Sequence, residues 1–234
     1  AKMGQKKAGA VCPGRRENCM RIIGIVPGAK LFGSEDLYAD QYLFVNGYPK
    51  RILANGGTPV GILSSDGYAV EDSLSLCDAF VFCGGARFYP YHFQVMEYAA
   101  KSGKPVLGIC LGMQLLFEKS YEYGEHDGLG FVPGQVCPLA PDLGDKSLKV
   151  PQIGWNAVHI LRDDPLFKYV RDGEYFYYVH SYYGKNCAAN TLAVSDYSLP
   201  VTGVVKAGKV YGTQFHPEKS GDAGLRLLKA FAEL

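Results

Sequence analysis

A cysteine flanked by glycines is the residue of this chain best suited to act as a nucleophile. Residues 108–114 read Gly-Ile-Cys-Leu-Gly-Met-Gln, after a short apolar run and before a helical pattern. Glycines two residues before and two residues after Cys110 permit the sharp strand-to-helix turn that lifts a nucleophile out of a sheet. A helix N-terminus favours the thiolate, which is the attacking form of cysteine. The pattern favours covalent catalysis by Cys110 over a buried structural cysteine.

The imidazole expected to serve this nucleophile is His216. Residues 214–218 read Gln-Phe-His-Pro-Glu and follow a strand-like run. A thiol nucleophile needs a base that takes its proton and returns it to the leaving amine. Glu218 can accept a hydrogen bond from the imidazole and fix its tautomer, as an aspartate does in serine triads. We therefore predict a catalytic triad of Cys110, His216 and Glu218, which requires a fold that joins distant parts of the chain.

Backbone amides are expected to bind the oxyanion that such an attack creates, because fixed N–H groups suit a developing negative charge. One amide belongs to Leu111, directly after the nucleophile. The others belong to Gly84 and Gly85, which follow an apolar run and have no side chains to keep a substrate away. The alternative for the two glycines is an ordinary turn at the end of a strand. Arg87, just beyond them, is interpreted either as a contact to a substrate carboxylate or a partner, or as a surface arginine.

The elements that must position these residues alternate in the first half of the chain. Short apolar runs predict strands, and helical patterns between them predict helices. The strands are expected at 22–26, 59–63, 79–83 and 106–109, and the helices at 48–55, 92–101 and 111–119. Continuous β-branched runs between amphipathic helices are typical of a parallel sheet buried on both faces. In such folds ligands bind beyond the carboxyl ends of the strands.

The second half is rich in aromatic and β-branched residues. Further strands, several of them antiparallel, are expected at 132–134, 154–156, 175–180, 192–195, 201–206 and 210–215, before a closing helix at 222–234. We expect one α/β domain over residues 20–234, with a wound, mostly parallel central sheet flanked by helices. The basic stretch 1–19 lacks the apolar core of a signal peptide, and we interpret it as a leader- or tag-like arm outside the fold.

Composition limits the classes of function. The 234 residues carry a net charge of +1 and no apolar run long enough to span a membrane, so neither a nucleic-acid surface nor a membrane anchor is expected. Seven cysteines without framework spacing are typical of a reduced, cytoplasmic protein rather than a disulfide scaffold. Cys12 and Cys19 have no second pair of ligands, so no metal site is predicted. No cofactor is expected.

The segments around Cys110 and His216 resemble those of the class I, or triad, glutamine amidotransferases. The resemblance implies a flavodoxin-like wound α/β fold and attack of the thiolate on the side-chain amide of L-glutamine, which gives a γ-glutamyl thioester and releases ammonia. It also implies the triad already named, with the Gly85 and Leu111 amides at the oxyanion. By the same match Gln114 helps to hold the substrate.

The second half is similar to the glutaminase subunit of imidazole glycerol phosphate synthase, through residues 149–156 and 175–183. By that resemblance His180, Ser181 and Tyr182 line the glutamine pocket, mostly through backbone groups. The alternative for the aromatic run is a core strand. The first half, including its Gly-Gly pair, is more similar to γ-glutamyl hydrolases, which act on γ-glutamyl amines or peptides.

Three functions remain open from the sequence. The leading hypothesis is a glutaminase that supplies ammonia to a separate synthase subunit, which predicts an exposed apolar patch near the mouth of the active site. The second is a stand-alone γ-glutamyl hydrolase with water as the final acceptor. The third is a catalytically inactive binding protein on the same scaffold, which an intact triad argues against.

Overall fold

Helices and strands alternate along the first half of the chain, and strands dominate the second. The structure is a computed structural model, and it describes residues 21–30, 41–43, 47–62, 74–85 and 90–234. The expected arm at 1–19 and Arg87 lie outside the described residues. The assignment of residues 20–234 to a single domain stays a prediction.

The strands of the described residues share the short lengths expected of a wound fold. They are β1 (Ile22–Val26), β2 (Gly28–Lys30), β3 (Gln41–Leu43), β4 (Thr58–Gly61), β5 (Ala79–Phe82), β6 (Val106–Ile109), β7 (Phe117–Ser120), β8 (His126–Asp127), β9 (Val132–Pro138), β10 (Gln152–Ala157), β11 (His159–Ile160), β12 (Tyr175–His180), β13 (Tyr182–Lys185), β14 (Thr191–Asp196), β15 (Pro200–Ala207) and β16 (Val210–Thr213). The α-helices in the same residues are α1 (Gly47–Ala54), α2 (Pro90–Lys101), α3 (Leu111–Gln114) and α4 (Gly221–Ala232).

The central sheet has eight strands in the order β11-β14-β15-β16-β6-β5-β1-β4. The strands from β16 to β4 pair in parallel. The pairs β11–β14, β14–β15 and β15–β16 are antiparallel. The predicted fold class is therefore confirmed: a mostly parallel α/β sheet is extended by antiparallel strands from the second half.

Apolar residues cover both faces of the central sheet, because its inner strands alternate their side chains between two cores. In β5, Ala79 and Val81 enter a core that also contains residues of α1 and α4, whereas Phe80 and Phe82 enter a core that contains residues of α2. Every position of β5 and β6 is buried. Burial on both faces explains the continuous apolar sequences of these strands.

The antiparallel pair of β10 and β12 lies beside the central sheet and has one buried face. Along β12, the side chains of Phe176, Tyr178 and His180 are buried, and those between them are more exposed. This alternation is that of an antiparallel strand with one solvated face. A further sheet has the order β13-β9-β7-β8.

The predicted helix at 111–119 is wrong beyond its first turn. Helix α3 ends at Gln114, and β7 forms instead, paired with β8 and β9. The ring of Phe117 is buried against Gly184 of β13, where an added Cβ would lie 2.3 Å from Phe117 Cζ. Strand pairing and the burial of Phe117 therefore override the local helical pattern.

The other predicted elements are confirmed, with ends that differ by a few residues. The predicted strand at 175–180 coincides with β12, and β16 ends at Thr213 rather than at residue 215. No helix in the described part of the chain is both long enough and apolar enough to cross a membrane.

Candidate active site

Cys110 occupies a strained turn between β6 and α3. Its φ of 53° and ψ of −108° lie outside the regions that most L-residues adopt. Close packing requires both flanking glycines. A Cβ added to Gly108 would lie 2.4 Å from Gly112 O, and a Cβ added to Gly112 would lie 2.7 Å from Phe82 O. The Cys110 amide donates to Thr213 O at 2.7 Å, which ties the turn to β16. This geometry is that of a nucleophile elbow.

His216 and Glu218 reach the same edge of the sheet, just after β16. The His216 amide donates to Tyr177 O of β12 at 2.9 Å. The Nδ1 atom of His216 lies 2.8 Å from Glu218 Oε1, and both side chains are buried. Because Nδ1 faces Glu218, Nε2 is the ring nitrogen left for Cys110, with which the imidazole interacts directly. The structure therefore brings the three predicted triad residues together.

Gly84 lies between the nucleophile and the imidazole. An added Cβ there would lie 2.9 Å from His216 Cε1 and 3.2 Å from Cys110 Cβ. The residues that follow the parallel strands β5, β6 and β16 therefore lie close together. They lie at the carboxyl edge of the sheet, where wound α/β folds bind their ligands.

The surroundings of His216 keep its imidazole protonated at neutral pH. Burial opposes protonation, but hydrogen bonds and charge interactions with Cys110 and Glu218 outweigh burial and raise the pKa of His216 to about 9. His180 is shifted the other way, because burial and the charge of His216 lower its pKa to about 4. The site therefore holds one imidazolium beside Cys110 and one neutral imidazole.

The three amides expected at the oxyanion differ in availability. The Gly84 N–H donates to the Tyr48 hydroxyl at 3.3 Å, so it is engaged within the protein. The Leu111 N–H belongs to the first turn of α3, where amides have no intrahelical acceptor. Gly85 is exposed at the end of its described segment. Leu111 and Gly85 therefore remain the candidate oxyanion donors.

Tyr48 also lies at the site, although it is absent from the residues predicted there. It is buried in α1, and its hydroxyl lies beside Cys83 and Glu218. Burial, with Cys83 and Glu218 nearby, raises the pKa of the Tyr48 phenol well above its ordinary value, so the phenol stays neutral. Tyr48 therefore lies between Gly84, from which its hydroxyl accepts a hydrogen bond, and the carboxylate of the predicted triad. An aromatic residue in an amphipathic helix carries no sequence signal of such a contact.

A cavity of about 670 Å³ opens beside the elbow, and its volume is typical of small-molecule sites. Leu111, Gln114 and Glu122 contribute to its lining. Burial raises the pKa of the Glu122 carboxyl, which forms no ion pair with any residue that the structure describes. Glu122 carries no sequence signal of this position, because one acidic residue in a polar stretch has no distinguishing pattern.

Gln114, His180, Ser181 and Tyr182 form a group next to the elbow. Tyr182 O accepts hydrogen bonds from Gln114 Nε2 at 3.1 Å and from His180 Nδ1 at 2.9 Å. Ser181 O accepts from the Leu139 amide at 2.9 Å. The carbonyl groups of Ser181 and Tyr182 are therefore engaged within the protein.

The chain is similar to known proteins over most of its length. The family model described as glutamine amidotransferase class I matches residues 41–233. A protein of Wolinella succinogenes named imidazole glycerol phosphate synthase subunit HisH is 48% identical over 141 residues, which are 60% of this chain and 68% of that protein. Proteins of the same name from Listeria monocytogenes and Lactiplantibacillus plantarum are 48% and 51% identical over 60% of this chain. The matches cover 66% and 65% of these two relatives.

Two solved structures have a similar fold. A protein of Thermoplasma acidophilum, described as belonging to a GMP synthase, superposes with a TM-score of 0.63 and 17% identity, over 92% of this chain and 94% of that one. A glutamine amidotransferase of Thermotoga maritima superposes with a TM-score of 0.58 and 20% identity, over 92% of this chain and 83% of that one. At these identities the likeness concerns the fold alone.

Proposed function

This chain belongs to the class I glutamine amidotransferase family, and we propose that it hydrolyses the side-chain amide of L-glutamine and supplies the ammonia to a separate synthase subunit. The observation that carries the proposal is the convergence of Cys110, His216 and Glu218 at the carboxyl edge of the parallel sheet. The synthase partner is inferred from the relatives, which are named as subunits of imidazole glycerol phosphate synthase. Neither a stand-alone γ-glutamyl hydrolase nor an inactive binding protein is favoured by these comparisons.

In the first half-reaction, the Cys110 thiolate attacks the side-chain carbonyl carbon of glutamine. The carbonyl π electrons move to oxygen, which becomes an oxyanion that the Gly85 and Leu111 amides are proposed to bind. The His216 imidazolium gives its proton to the amide nitrogen, and the C–N bond breaks. Ammonia leaves, Cys110 carries a γ-glutamyl thioester, and His216 is neutral. Glu218 holds the imidazole through Nδ1 throughout.

In the second half-reaction, water replaces ammonia as the partner of His216. The neutral imidazole takes a proton from the water as its oxygen attacks the thioester carbon. The C–S bond breaks, which releases glutamate and restores the Cys110 thiolate and the His216 imidazolium. The sum of both steps is glutamine plus water to glutamate plus ammonia.

The cavity beside the elbow offers groups that complement the charged end of glutamine. Glu122 presents a partly buried carboxylate without a described cation, which suits the α-ammonium group of the substrate. Gln114 uses its NH₂ group on Tyr182 O and Gln214 Oε1, so its own Oε1 is left to accept from the substrate. His180, Ser181 and Tyr182 do not line this cavity, and their proposed contact with the substrate rests on the resemblance to the glutaminase subunit.

We propose that the synthase partner binds the exposed face of β10 and β12. Ile153, Trp155 and Tyr175 are 60%, 53% and 60% exposed, and Tyr177 packs edge-on against Trp155. We call these four residues the β10–β12 patch. The strand register places them on one face, opposite the buried Phe176, Tyr178 and His180. The backbone of β12 also accepts from His216, so the patch adjoins the active site, as the ammonia-donor hypothesis expects.

Ammonia release tests the proposed reaction. We expect the chain to release ammonia from glutamine, faster when the other subunit of the synthase is present, and to act poorly on γ-glutamyl amines. Cys110→Ala should lower this rate by more than about 10⁴-fold, because members of a catalytic unit lose activity together. Cys137→Ala, which removes another partly exposed cysteine, is the matched control and should remain active. Fast release of the amine from γ-glutamyl amines, with no ammonia released from glutamine in the presence or absence of the other subunit, would contradict the proposal.

A further inference from the structure

Gln214, two residues before His216, is fully buried and uses both ends of its side-chain amide. Its Nε2 lies 3.7 Å from Cys110 Sγ, which is within hydrogen-bonding distance for sulfur. Its Oε1 accepts from Gln114 Nε2 at 3.2 Å. Gln214 therefore connects the nucleophile to Gln114, although neither half-reaction described above uses it.

The direction of the Gln214 amide is determined by its neighbours. A backbone carbonyl only accepts, so Gln114 must turn its NH₂ group toward Tyr182 O, 3.1 Å away. The NH₂ group of Gln114 also faces the side chain of Gln214. Gln214 must therefore turn its Oε1, the acceptor end, toward Gln114. The other end of the Gln214 amide, its NH₂ group, then points at Cys110 Sγ.

The sulfur of Cys110 has neighbours suited to each of its protonation states. Val179 O, 3.8 Å away, can accept the S–H of a neutral thiol. The Gln214 NH₂ group and the His216 imidazolium donate, so they stabilise the sulfur as an anion. Helix α3 has only four residues, which is too short to supply the dipole of a full helix. Side-chain donors must therefore provide more of the stabilisation.

We propose that Gln214 is a catalytic residue that donates a hydrogen bond to the Cys110 thiolate, and that Gln114 is a positioning residue that holds the Gln214 amide in the donating orientation. Gln114 holds the donor amide in this orientation, so no reorganisation is needed when the sulfur attacks or leaves. The inference deepens the proposed function and rests on Cys110 being the nucleophile.

Alkylation of Cys110 by iodoacetamide, followed by mass spectrometry of the Cys110 peptide, tests this contact without glutamine turnover. Gln214→Met removes the donor at similar volume, and we expect alkylation at neutral pH to slow by about 10-fold to 100-fold. The inflection of its rate–pH profile should move to higher pH. Gln214→Glu has the same shape but places a carboxylate against the sulfur, so its loss should be larger.

The controls separate a direct contact from a structural effect. Gln152→Met removes another fully buried glutamine amide, which bonds to Asn156, and should leave alkylation unchanged. Gln114→Met should slow alkylation less than Gln214→Met does. The double variant should be no slower than Gln214→Met, since both substitutions act through one hydrogen bond.

Several outcomes would overturn the inference. If Gln214→Met or Gln214→Glu shows the same alkylation rate and rate–pH profile as the wild type, Gln214 is not a donor to Cys110. If the losses of alkylation rate are additive in the double variant, Gln114 does not position Gln214. If both Gln214 variants fail to fold, unchanged alkylation in folded Gln114→Met excludes the inference as a whole. Full ammonia release by Cys110→Ala would instead overturn the proposed function, so the two failures are distinguishable.

Discussion

Two buried histidines lie close to each other near Cys110, and their surroundings give them opposite charge states. Burial disfavours the imidazolium in both, but only His216 has Cys110 and Glu218 as partners. Its pKa therefore rises to about 9, whereas that of His180 falls to about 4. In the proposed mechanism, His216 is thus the charged group that protonates the departing amide nitrogen, and His180 adds no competing positive charge.

The charge of His216 predicts the alkaline limit of the reaction. A raised pKa means that the imidazolium persists below about pH 9 and is lost as the pH rises through that value. We expect kcat/KM for glutamine to fall above about pH 9 for this reason. Glu218→Gln removes a carboxylate that favours the imidazolium, so the alkaline inflection should move to lower pH and kcat/KM at neutral pH should fall by about 10²-fold.

The control for this profile is Glu233→Gln, which removes an exposed carboxylate paired with Lys168. It should leave the pH dependence unchanged. An alkaline inflection that is the same in the wild type and in Glu218→Gln would mean that the Glu218 carboxylate does not set the charge of His216.

Some residues of the site could be identified from the sequence, whereas others could not. Cys110 carries a local signal, because the turn needs glycines at fixed spacing around it. His216 and Glu218 are only two residues apart in the sequence, so their contact could be inferred without knowledge of the fold. Tyr48 and Gln214 act through contacts to distant segments, and a tyrosine in a helix or a glutamine after a strand has no local pattern that reveals those contacts.

At the level of elements, the segment after the elbow illustrates the competition between local pattern and packing. The sequence predicts a helix to residue 119, yet only α3 forms, and β7 follows. Phe117 has no exposed surface, and the glycine opposite it on β13 leaves room for its ring. The parallel strands were predictable because both of their faces are buried, whereas β7 depends on partners that no local window contains.

Gly184→Ala tests this packing. The new methyl group would lie 2.3 Å from Phe117 Cζ, so the ring or the strand must shift. We expect the free energy of unfolding in urea to fall by about 1–3 kcal/mol, the usual cost of overpacking. In a double-mutant cycle with Phe117→Leu, the combined loss should be smaller than the sum of the single losses. An unchanged free energy of unfolding in Gly184→Ala would show that β7 does not pack on β13 in this way.

Across the whole molecule, the β10–β12 pair connects the outer surface to the active site. Its exposed face is the β10–β12 patch, whereas the backbone of β12 contacts Cys110 through Val179 O and His216 through Tyr177 O. A partner that covers the patch would therefore lie against the strand whose backbone contacts Cys110 and His216. An apolar patch was predicted from the hypothesis of a separate synthase, but its residues could be chosen only from the strand register.

Binding of the other synthase subunit tests the patch. Trp155→Ser should weaken the complex by at least about 10-fold, because large aromatic residues at interface centres contribute most to affinity. Leu161→Ser removes another exposed apolar side chain, outside the patch, and should bind as the wild type does. The measurement is the dissociation constant by titration calorimetry. Equal affinity for the wild type and Trp155→Ser would place the interface elsewhere.

A γ-glutamyl group carried by Cys110 is the species that the proposed chemistry cannot do without. Rapid acid quench during glutamine turnover, followed by peptide mass spectrometry, should find this group on the peptide that contains Cys110 and nowhere else. An electrophilic glutamine analogue should label the same sulfur, and glutamine should protect against the label. Ammonia released at the wild-type rate by Cys110→Ala, or a γ-glutamyl group on a different residue, would contradict the mechanism.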